Sequence, residues 1–60
     1  MRLTRIARDC KGDDCPAVFS TERGTLAVQG YLVHQPTPEH EAIVEIPADL
    51  LKEAARALGR

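Results

Sequence analysis

The two cysteines of the chain, Cys10 and Cys15, bracket the run Lys-Gly-Asp-Asp. Four intervening residues fall within the range tolerated between paired zinc ligands, and a tetrahedral site then needs two more donors. His34 and His40 are the only imidazoles. Cys10, Cys15, His34 and His40 are therefore the Cys2His2 set that one chain can offer, and cysteines from two chains sharing one site are the other route to four ligands. A disulfide between Cys10 and Cys15 is feasible across a six-residue turn and would pin the loop that enters the next strand. Two free, partly buried thiols are the third state that the cysteine count allows. Asp9, Asp13 and Asp14 attract a cation but do not stabilise a thiolate. The two-residue spacing that lowers a thiol pKa in redox catalysts is missing, which sets redox catalysis aside.

The remaining reactive side chains make weaker sets. His34 or His40 as a general base would need a nucleophile, and no serine or cysteine stands in a matching context. A loop histidine is ordinarily a solvated one. Glu41 and Glu45, four apart, share one side of a strand, with Glu39 close by. A chain of this size rarely encloses a pocket for such a pair, so they read as edge charge that blocks unwanted strand addition. Arg2, Arg5, Arg8 and Arg23 could contact phosphates. Against this stand a net charge of −1, which supplies little bulk attraction for a polyanion, and the lack of any helix-turn-helix or aromatic pattern. Phe19 and Tyr31 are the only aromatic residues, too few for a base-stacking platform. The expectation is a protein with no catalytic residue and no cofactor apart from the zinc alternative, and with nucleic acid as the lesser reading of its basic residues.

The elements that must carry these groups follow from patterning. Residues 17–21 and 25–33 alternate in a way that suits strands, and Glu22-Arg23-Gly24 between them suits a turn. Glycine supplies the positive φ that closes a type I turn with a G1 bulge. Thr21 then pairs with Thr25, Val18 faces Val28 and Phe19 faces Ala27. With a side chain on alternate faces, Val18, Leu26, Val28 and Leu32 share one side. Phe19, Ala27, Tyr31 and Val33 share the other. Residues 1–8 read as a short strand carrying Leu3 and Ile6 among arginines. Residues 9–16 form a loop, with Pro16 holding Cys15 extended. Pro36 and Pro38 make 34–41 irregular. In residues 42–46, Ala42, Val44 and Ile46 point one way and Ile43 and Glu45 the other, as a strand that pairs antiparallel with one of the hairpin strands.

Residues 47–58 read as a helix. Pro47 suits its first position, Asp49 its positive end, and Gly59 its termination. Leu51, Ala54, Ala55 and Leu58 mark the apolar stripe, flanked by Leu50 and Ala57. About 12 residues of helix are not stable alone, so this one must dock. The fold class is α+β: one domain over residues 1–60, a mostly antiparallel sheet of about four strands in residues 1–46, and one face covered by the carboxyl-terminal helix, in the order β-β-β-β-α.

A domain this short buries only about 60% of the surface of its unfolded chain and leans on a staple or a partner. The hairpin is apolar on both faces, and one helix covers one of them. Phe19, Ala27, Tyr31 and Val33, joined by Ile43, therefore form a candidate isologous dimer interface. Arg2, Arg5, Arg8 and Lys11 crowd the first segment, whereas Glu39, Glu41, Glu45, Asp49 and Glu53 dominate the last third. Either these are ordinary solvated faces, or they give head-to-tail complementarity between copies. No run approaches the ~20 apolar residues of a membrane span, and no signal-peptide pattern stands at the start. A cytoplasmic protein is expected, a setting that disfavours a permanent disulfide.

The run Cys10…Cys15-Pro-Ala-Val-Phe-Ser-Thr-Glu-Arg-Gly-Thr-Leu-Ala-Val-Gln-Gly-Tyr resembles short actinobacterial proteins similar to the BldB-type developmental regulators. The Cys-to-Cys-Pro spacing, the Thr-Glu-Arg-Gly turn and the Val-Gln-Gly end carry the resemblance. It spans roughly the first half of the chain, and the Ile-Pro…Leu-Leu helix adds a general likeness. It implies a small, non-enzymatic, self-associating protein in transcriptional or developmental control. The implied partners are a second copy and a protein such as a helix-turn-helix regulator. Separately, Val-Glu-Ile-Pro-Ala-Asp-Leu-Leu is similar to the strand-to-helix step of swapped-hairpin antitoxins and transition-state regulators, which bind DNA as intertwined dimers. Here that step is acidic and lies at the carboxyl end, a departure that weighs against DNA contact.

Overall fold

The hairpin turn closes where its residue types demand. Gly24 takes φ 76°, and its N–H donates to the Thr21 carbonyl at 3.3 Å while Thr21 N–H donates to Thr25 at 3.0 Å. The Thr21 hydroxyl also accepts from Arg23 N–H at 3.1 Å and lies 2.7 Å from the Thr25 hydroxyl. A threonine before the turn thus replaces backbone partners that the reversal leaves unmet. The register that follows is the expected one, with Val18 opposite Val28 and Phe19 opposite Ala27.

A computed structural model describes residues 1–9 and 15–59. Among these lie β1 (Leu3–Arg8), β2 (Ala17–Thr21), β3 (Leu26–Gln29), β4 (Tyr31–Val33), β5 (Ile43–Glu45) and α1 (Ala48–Ala57). The fold is α+β, with antiparallel sheets and one carboxyl-terminal helix. No helix among the described residues is long and apolar enough to cross a membrane.

The strands do not form the one four-stranded sheet that the pattern suggests. They form a three-stranded sheet in the order β1-β2-β3 and a separate pair, β4-β5. The expected strand over 25–33 is cut at Gly30, and the reason is steric. A Cβ at Gly30 would run into the Glu45 carbonyl oxygen and lie 2.8 Å from Ile46 Cγ2. The chain that returns after β5 passes directly over this glycine, so β3 ends here and β4 turns away to pair with β5. Tyr31 then opposes Glu45, Leu32 opposes Val44 and Val33 opposes Ile43. Tyr31 and Val33 therefore do not share a sheet with Phe19 and Ala27, contrary to the alternation of an unbroken strand.

β1 pairs with β2 and carries a bulge between Arg5 and Ala7. The extra residue is Ile6. Its side chain reaches the same core as that of its neighbour Ala7, which strict alternation forbids and a bulge permits. Partners across an antiparallel ladder share a face. Ala7, Val18 and Val28 lie on one side of the sheet, and Arg5, Arg8, Ala17, Phe19 and Ala27 on the other.

The helix docks on the Val18 side, over β1 and β2. Its buried residues are Leu50 and Ala54, closed against Ala7 and Val18 and flanked by Ile6 and Ile46. Leu51, Ala55 and Leu58, expected in the core stripe, face solvent. Ile46 sets this rotation. It is anchored in the core one residue before the helix cap, and steps of four from it select Leu50 and Ala54, leaving the 51–55–58 stripe turned away. Pro47 is the N-cap, with ψ 140°, rather than the first helical residue. Gly59, at φ 95°, ends the helix by donating to the Arg56 carbonyl at 3.0 Å, as a residue free of Cβ strain can.

Candidate interaction interface

Among the described residues the buried apolar core holds Ala7, Ala17, Val18, Leu50 and Ala54. Three of these are alanines, so Val18 and Leu50 supply most of the area taken from water, about 1.5–3 kcal/mol each at full burial. Many of the larger side chains are outside. Leu3, Leu26, Val28, Tyr31, Leu32, Ile43, Leu51 and Leu58 are all substantially exposed, with Tyr31 at 58% and Leu32 at 57%. The chain exposes 4883 Å², whereas a folded monomer of 6.6 kDa exposes about 3900 Å² by surface–mass scaling. Its radius of gyration is 12.1 Å, against about 10 Å for a close-packed chain of this length.

The five residues expected to form one interface stripe fall into two patches. Phe19 and Ala27 lie half-buried on the helix-free side of the three-stranded sheet. Arg5 opposes Phe19 and Arg8 opposes Ala17 on β1, so both arginines belong to this face. Across it, the Gln29 amide donates to the Cys15 carbonyl at 2.9 Å. Tyr31, Val33 and Ile43 share one face of the β4-β5 pair with Glu45. Leu32 and Val44 share its other face. The extensive contacts of β4 and β5 are with each other, while those of α1 are with β1 and β2. The arm is thus a two-stranded ribbon with apolar side chains on both faces, an arrangement that is marginal in water without further packing.

The other residues singled out from the sequence are placed as follows. Arg2 and Arg23 lie at the turn end of the hairpin, where Arg2 N–H donates to Glu22 Oε1 at 2.9 Å. Arg5 and Arg8 lie three and six residues beyond Arg2 along β1, opposite Phe19 and Ala17, so the four arginines do not converge on one point. His34 borders an open cleft of about 290 Å³, formed with Leu32, Thr37, Glu41 and Ile43 where the 34–42 loop leaves the arm. His40 sits at φ 70° on the turn of that loop, 3.6 Å from Glu39 with both side chains almost wholly exposed. Cys15 is half-buried just before β2 and is disulfide-bonded. Cys10 lies outside the described residues, and with it the Cys10–Cys15 pairing and the Cys2His2 set. Among the described residues no three of His, Cys, Asp and Glu gather as metal ligands would.

Pattern reasoning missed the outward stripe of Leu51, Ala55 and Leu58 and the split of the interface. Gly30 was the available signal for the split, because an isolated glycine within an apolar strand run marks a bulge or a close backbone approach. No protein-family model, curated protein or solved structure matches the chain.

Proposed function

We propose that this protein is a small, non-enzymatic regulatory module that acts through protein–protein contact as a homodimer. The resemblance to BldB-type regulators suggests a place in transcriptional or developmental control, with a protein such as a helix-turn-helix regulator as the further partner. The observation that carries the reading is the surface. The chain exposes about 1000 Å² more than a monomer of its mass should, and a standard interface removes about 800 Å² from each partner. The excess is apolar in large part, since Tyr31, Leu32, Ile43, Leu26 and Val28 all contribute to it. With two large side chains fully buried among the described residues, the core leaves little stability to spare, and association is one remedy open to so short a chain beside the disulfide at Cys15.

Sedimentation equilibrium over a range of concentrations tests this. A dimer mass at tens of micromolar, dissociating on dilution, is the expected result. A strict monomer throughout that range overturns the reading.

A further inference from the structure

Resting on that homodimer reading, we propose that its two copies dock reciprocally, arm on sheet. The arm face carrying Tyr31, Val33 and Ile43 in one copy covers the Phe19–Ala27 face of the other. Glu45 of each arm then lies against Arg5 and Arg8 of the opposite sheet.

Three observations lead here. The arm is built from two three-residue strands whose extensive contacts are with each other. Its Ile43 is 46% exposed and its Tyr31 58%, so that face still offers apolar area to a second surface. The helix-free face of the three-stranded sheet offers the matching surface: its Ala17 end is already buried within the chain, but Phe19 and Ala27 are only half-buried, and the helix lies on the opposite side. Packing one sheet face on another at a spacing of about 10 Å is a standard way to bury both.

The third observation is charge. By register, the Phe19 face carries Arg5 and Arg8 and no acidic strand residue. The Tyr31 face carries Glu45 and no basic strand residue. Among the described residues none of Arg5, Arg8 and Glu45 makes an ion pair within its own chain. Opposite charge around an apolar centre fixes which patch meets which, and it penalises arm-on-arm or sheet-on-sheet pairing, where like charges would meet. The two patches are complementary rather than identical, so a two-fold axis uses each pair twice and closes the assembly at two copies.

Charge reversal separates this mode from other dimers. In E45R both contacts of a homodimer place arginine against arginine, and in R5E/R8E both place glutamate against glutamate. Each variant alone should dimerise at least about tenfold more weakly than the wild type, given the cost of apposed like charges. Mixed in equal amounts, the two should form a heterodimer close to wild-type affinity, because both of its contacts are then matched. Wild-type protein that dimerises while both variants retain its dissociation constant overturns the docking mode and leaves the homodimer standing. Wild-type mass that grows past the dimer overturns reciprocal closure. A monomeric wild type overturns the homodimer and this mode with it. Half-labelled wild-type protein gives a measurement independent of any variant. Intermolecular NOEs between the Tyr31 and Phe19 rings are expected, and an interface whose intermolecular NOEs omit that pair sinks the proposal.

Discussion

The molecule has a packed half and an open half, and they solve the same problem differently. Both start from strands with apolar residues on two faces. In the packed half, β1, β2 and β3 hydrogen-bond side by side and α1 lays Leu50 and Ala54 over Ala7 and Val18. In the open half, the extensive element contacts of β4 and β5 among the described residues are with each other, and Tyr31, Leu32 and Ile43 stay exposed. A sheet face becomes stable when something apolar is laid across it, and in this chain the single helix is spent on one half. The difference shows where packing among the described residues is dense and where it thins.

Removing the packed half's main contact should have the largest effect. Leu50 is almost completely buried, and truncating such a leucine to alanine costs about 2–5 kcal/mol. A domain with so small a core has about 3–5 kcal/mol in all. Leu50→Ala is therefore expected to be largely unfolded at 25 °C by circular dichroism. A cooperative melt within a few degrees of the wild type would mean that the helix does not hold the packed half together.

The open half should yield to a different change. Gly30→Val places a branched side chain against the Glu45 carbonyl and Ile46, and backbone cannot give way as a flexible side chain can. Overpacking of this kind costs about 1–3 kcal/mol. The strain falls on the β4-β5 junction, so exchange of the ladder amides in β4 and β5 should speed up while those in β2 stay protected. Equal acceleration in all three strands would show that the two halves unfold as one unit.

Legibility in the sequence divides along the same line. The turn at 22–24 was readable because its residues lie within a few positions of their partners, and the Val18–Val28 register follows from that turn by counting outward along the hairpin. The helix and its Gly59 stop were readable for the same reason. The split at Gly30 depends on Glu45 and Ile46, fifteen and sixteen residues further on, and on a close approach that no local alternation encodes. The helix rotation was misjudged because Leu50 and Leu51 are equally apolar, and only the anchoring of Ile46 in the core decides between them. The five candidate interface residues, half-buried or exposed, belong to two surfaces, a consequence of the same unforeseen break.

Protein concentration should sharpen the contrast further. If the arm is covered by a second copy, protection of the ladder amides in β4 and β5 rises with concentration. The amides of β1 and β2, already bonded within the chain, change less, because ligand-like stabilisation by a partner is felt most where local opening is cheapest. Arm protection that is independent of concentration across the dimerisation range would mean that the open half is held by its own chain.

The smallest effect is expected at Leu51, next to Leu50 in sequence but 59% exposed. Leucine and lysine have nearly equal helix propensity, and exposed substitutions away from special features change stability by no more than about 0.5 kcal/mol. Leu51→Lys should melt as the wild type does. Under the proposed docking mode it should also leave dimerisation unchanged, because the faces in that mode lie on the sheet and the arm rather than on the helix. Denaturant titration at two protein concentrations separates the two consequences. A loss confined to the higher concentration would assign the Leu51–Ala55–Leu58 stripe to the subunit contact and displace the arm from it. A loss equal at both would mean that the stripe packs within one chain, and the line between the packed and open halves would have to be redrawn through the helix.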